Sequence, residues 1–119
     1  MSRVAKLHTE AMDHASAQMV AQQAGDDASA LDHAHRAFEL EREAALIVVG
    51  KRSPVRALEP TRSVLLRSAA TLALDCDEHA EGLRLVALAL AGEPPAEIEA
   101  ELFEVRGRLQ GARSRTLSP

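Results

Sequence analysis

From residue 2 to residue 110 the apolar side chains recur every three or four positions, and most Gly and Pro sit between those runs or at their ends, with Gly82 inside one. A period near 3.6 is that of a helix with one buried face, whereas a half-buried strand would alternate. The pattern therefore predicts an all-α chain. Five helices are expected, at about residues 2–24, 27–49, 60–76, 78–91 and 95–110. Gly25-Asp26-Asp27 separates the first two, with an Asp suited to cap the second. Gly50 closes the second, and Ser53-Pro54 marks the stretch after it as a loop. Pro60 is a natural first-turn residue for the third, and Gly92-Glu93-Pro94-Pro95 precedes the last.

Connections of a few residues force neighbouring helices antiparallel. The chain thus reads as a hairpin at 2–49, a longer loop, a second hairpin at 60–91 and a capping helix at 95–110. These make one domain over 1–110, with a disordered tail at 111–119. The second helix carries Leu31, Ala34, Phe38, Ala45 and Val48 on one face. The third has Val64, Leu65, Leu66, Ala69, Leu72, Ala73 and Leu74. The fourth is apolar nearly all round, as a helix held between others must be. The last has a single stripe of Ile98, Leu102, Val105 and Leu109, which suits a cap over an open hydrophobic end.

The chain has two Phe, no Trp and no Tyr, so its core must be built from Ala, Leu and Val. Small residues let helices approach closely, and Gly82, inside the fourth helix, is expected to face Ala70 or Ala73 of the third. A formal net charge of −4 argues against a nucleic-acid surface over the whole domain. Lys51, Arg52 and Arg56 gather in the loop. Arg106, Arg108, Arg113 and Arg115 follow near the C-terminus, without the interleaved aromatics of a nucleic-acid arm. Cys76 is single and falls on an apolar face, so it reads as a buried small hydrophobe in a reducing compartment. No leader and no membrane span is expected, and a cytoplasmic protein follows.

No cluster has the spacing of a catalytic, metal or cofactor site. His33 and His35 point to nearly opposite sides of their helix and cannot chelate one ion together, although His14 could approach one of them across the first hairpin. Asp32, Glu39 and Glu43 interleave with Arg36 and Arg42, the pattern of a solvated helix face. An enzyme is not expected.

Leu66, Ala69, Ala70, Ala73, Gly82, Val86, Ala89 and Pro94 fall at the spacing of a tetratricopeptide repeat, and this hairpin resembles one. In the first hairpin Gly25, Ala30, Ala34 and Ala37 fit, but Gln18 stands where a small residue belongs. Residues 59–76, EPTRSVLLRSAATLALDC, resemble a group of short bacterial tetratricopeptide-like proteins with no established activity. The resemblance implies a helical-repeat fold and, by analogy, binding of a protein or peptide. It also implies that the first helix of each hairpin lines the ligand-facing surface. Ser63, Arg67, Thr71 and Asp75 recur every four residues along the third helix and, with His14 and Gln18 of the first, are the candidate partner-binding residues. A second reading is a helical homodimer or accessory subunit, because Met12, Met19 and Val20 cannot share one buried stripe.

Two charges break the apolar pattern. Glu41 falls in the middle of the core face of the second helix, and Arg62 falls on that of the third. A lone charge there is costly, so the two are expected to pair across the junction of the hairpins.

Overall fold

The computed structural model describes residues 2–117. These form six helices and no strand: α1 (Arg3–Gln23), α2 (Asp27–Val49), α3 (Val55–Leu58), α4 (Thr61–Asp75), α5 (His79–Leu90) and α6 (Ala96–Leu117). None of the helices is long and apolar enough to cross a membrane. The third, fourth and fifth helices expected from the sequence are α4, α5 and α6.

Two differences from expectation concern the helix inventory. One turn of helix, α3, interrupts the 50–60 loop. The expected tail at 111–119 is helical as far as Leu117, while 118 and 119 lie outside the described residues. Gly111 does not stop α6; it lies half-buried with Ala112 beside the α4–α5 turn. Arg115 adds a cation where the helix dipole favours one.

The ends of the hairpins are set by local chemistry. Ser2 caps α1 by accepting from the Ala5 amide at 3.1 Å. Gly25 adopts φ +75°, and the amides of Gly25 and Asp26 bond back to Gln22 and Ala21, the arrangement that closes a helix through a left-handed residue. Asp26 then caps α2 through the Ser29 amide at 3.1 Å, and its hydrogen bonds from Ser29 hold its carboxyl below the ordinary range. The α4–α5 turn repeats the closure with Asp77 at φ +59° and the Glu78 amide on Ala73. Glu59 folds back over the start of α4. It accepts from the Ser63 amide (2.9 Å), the Ser63 hydroxyl (2.6 Å) and the Glu93 amide (3.0 Å), tying that end to the loop after α5.

Contacts along the helices fix their directions. Arg3 pairs with Glu43 and His14 meets His33, so α1 and α2 are antiparallel. Ser68 reaches Glu41 while Asp75 lies beside Leu31, so α2 and α4 are antiparallel as well. Gly82 of α5 abuts Ala73 of α4 and Leu109 of α6, and Arg67 of α4 pairs with Glu101 of α6. Accordingly α1, α4 and α6 run one way and α2 and α5 run the other. α2 packs against α1 and α4, and α5 packs against α4 and α6.

Ala37, Ala44, Ala45, Ala69, Ala70, Ala73 and Ala89 have no exposed surface. Their small size lets the axes come together while Leu66, Leu85, Leu102 and Leu109 fill the space between. Burying each leucine contributes about 1.5–3 kcal/mol. Gly82 has its expected neighbour, Ala73, and a second in Leu109. Leu31 departs from the expected core face: it is 47% exposed, beyond the end of α4 that covers the rest of the stripe.

The expected Glu41–Arg62 pair does not form. Glu41 is fully buried at the level of Ser68, which lies roughly 9 Å along α4 from Arg62 at 1.5 Å per residue. Its carboxyl takes the Ser68 hydroxyl at 2.6 Å and His8 Nδ1 at 2.9 and 3.0 Å. Arg62 instead lies against Gly92 at the start of α4, with Nη1 buried and without a hydrogen-bond partner among the described residues. Glu41 therefore joins three helices, α1, α2 and α4, rather than two hairpins end to end.

Candidate binding groove

α1 leans on α2 and hardly touches α4, so a groove is left between them that α6 closes on the far side. Its volume is about 400 Å³. Met12 and Ala15 come from α1, Arg67, Ser68, Thr71 and Leu72 from α4, and Glu101, Glu104 and Val105 from α6. Leu72 and Val105 are buried in the core and form the floor. Met12 and Ala15 are half-buried on the wall, one turn apart on the same side of α1.

The polar atoms around this floor are largely committed. Arg67 reaches across to Glu101. The Thr71 hydroxyl donates to the Arg67 carbonyl at 2.9 Å, and the Ser68 hydroxyl donates to buried Glu41. The groove therefore rests on the Glu41 network, which holds α1 and α4 at a fixed distance from α2.

Of the six residues expected to meet a partner, Arg67 and Thr71 line this groove. Ser63 does not: it is fully buried, with both its amide and its hydroxyl bound to Glu59. Gln18 is also excluded, being 5% exposed between α1 and α2. His14 faces the α1–α2 seam, where its Nδ1 lies 2.9 Å from His33 Nδ1. The rings meet nearly head-on with centroids 5.2 Å apart, the arrangement of one shared proton. Among the described residues no group of three or more His, Cys, Asp or Glu side chains could hold a metal ion. Asp75 is exposed but lies past the groove, between two other clefts.

From sequence Met12 was expected only at a dimer contact and Leu72 and Val105 only in the core, while Ala15, Ser68, Glu101 and Glu104 were not assigned to a binding surface. The last helix read as a cap because its apolar stripe is narrow. The available signal was Glu101 and Glu104, one turn apart beside Val105 on the side that turns toward α4.

A larger cleft of about 660 Å³ lies between the α4–α5 turn and the end of α6, lined by Asp75, Asp77, His79, Arg108 and Arg115. Its lining is charged where the groove floor is apolar. Water competes well for such a surface, so it is the weaker candidate for holding a partner. On α2 two of the surface carboxylates are paired, Asp32 with Arg36 of the same helix at 3.1 Å and Glu43 with Arg3 of α1. Glu81 of α5 receives a two-pronged contact from Arg84, which holds its carboxyl below the usual range against the opposing effect of burial.

Searched against protein-family models, curated proteins and solved structures, the chain matches none of them.

Proposed function

We propose that this chain is a small, non-enzymatic, tetratricopeptide-like module that holds a protein or peptide in the groove between α1, α4 and α6. The observation that carries the reading is the apolar floor at Leu72 and Val105, left open where α1 stands away from α4. Parallel α1, α4 and α6 in one layer, with α2 and α5 behind, support a repeat-like stack. The spacing of Ala73, Gly82 and Ala89 supports it too. A cytoplasmic location belongs to the same reading, since the free thiol of Cys76 suits a reducing compartment.

The test is capture of bound proteins from the native extract by the wild type and by Ala15→Trp. The indole would fill the groove from its wall without adding charge. Loss of the captured protein at unchanged melting temperature is the expected result. Undiminished capture would place the partner elsewhere.

The homodimer reading has its own observation. Met19 is 60% exposed, Val20 66% and Leu31 47%, all near the α1–α2 turn. Light scattering at two concentrations separates the readings, because a monomer at the higher concentration removes the dimer.

A further inference from the structure

We propose that the groove takes a segment carrying a lysine or arginine beside an apolar side chain. The proposal rests on the groove reading above and adds the chemistry of the occupant. It follows from which polar atoms the groove leaves unengaged. The Ser68 and Thr71 hydroxyl protons point away, to Glu41 and to the Arg67 carbonyl, so these groups offer a ligand only lone pairs. Arg67 is turned onto Glu101. No described residue pairs with Glu104, and Glu101 keeps Oε1 without a partner.

The groove therefore presents an apolar floor beneath a rim of hydrogen-bond acceptors with an excess of negative charge. A ligand that brings donors and a positive charge satisfies that rim. One that brings a carboxylate meets two glutamates and no uncommitted cation. A long side chain suits the geometry, because its methylenes can lie over Leu72 and Val105 while its charged end reaches the rim. The net charge of −4 steers such a segment in from a distance.

The test uses two synthetic helical peptides with one shared leucine stripe, flanked by lysines in one and by glutamates in the other. Each is titrated into the isotopically labelled full chain and followed by amide chemical shifts. The lysine peptide should bind at least about tenfold more tightly at low salt, lose that advantage as salt screens the rim, and shift resonances of α1, α4 and α6. Glu104→Lys, an exposed change, should reverse the preference while leaving the melting temperature in place. Equal binding of both peptides in the groove would overturn the charge assignment and leave the groove reading standing. Binding of neither peptide, or a preference for the glutamate peptide, also overturns the proposal. Shifts confined to helices outside the groove, unaffected by Ala15→Trp, would sink the groove reading itself.

Discussion

A methyl group added at Gly82 would stand 2.9 Å from the Ala73 Cβ and 2.9 Å from Leu109 Cδ2. Leu109 can turn aside, but Ala73 Cβ is fixed to its backbone, so α4 and α5 would have to separate. Alanine gains about 1 kcal/mol of helix propensity, and overpacking costs about 1–3 kcal/mol. The expected result for Gly82→Ala is a net loss of about 1 kcal/mol by urea denaturation, in a site where propensity alone predicts a gain. Cys76 makes a different prediction. Burial pushes its thiol from the ordinary 9.0 up to about 11. The unfolded chain ionises first, so the stability this thiol contributes is complete below about pH 9 and is lost as pH rises toward about pH 11. The urea midpoint should fall over that interval in the wild type and fall less in Cys76→Ala. Equal alkaline losses in both would assign the effect to other groups.

Helix by helix, burial is uneven. α4 buries Leu65, Leu66, Ala69, Ala70, Leu72 and Ala73, whereas α1 buries only Ala11, Gln18 and Ala21. α1 is also held almost entirely by α2. Its opening exposes little apolar surface, so α1 amides should exchange with deuterium sooner than those of α4 and α5. Exchange of α1 as slow as α4 would mean that the Glu41 network locks it more firmly than its area suggests. The same unevenness explains what the sequence could reveal. Helix boundaries marked by Gly25 or Pro60 were legible because they rest on local backbone chemistry. The turn at α3 follows Pro54, a residue that marks a loop as readily as a helix start, and Gly111 looks like a stop that its surroundings do not require. Counting 100° per residue correctly put Glu41 on a buried face. It could not name His8 and Ser68 as its partners, because that depends on how far α4 slides along α2. Ser63 shows the converse limit, since a polar residue on a polar stripe is buried by the carboxylate of Glu59. Of the groove, Arg67 and Thr71 were legible and the α6 wall was not.

The molecule measures about 44 × 38 × 21 Å, a slab two helices thick at about 10 Å per helix. α1, α4 and α6 form one layer, and α2 and α5 fill the spaces behind it. Because the front three point the same way, their N-termini collect at one edge of the slab and their C-termini at the other. Each helix end carries about half an elementary charge, positive at the first edge and negative at the second, and the two reversed helices behind offset this only from a layer farther away. Glu97 and Glu99 in the first turn of α6 offset it at one corner. The groove therefore has unlike ends. A chain laid along it in one direction meets a different field from the same chain reversed, so the surface distinguishes orientation as well as side chains.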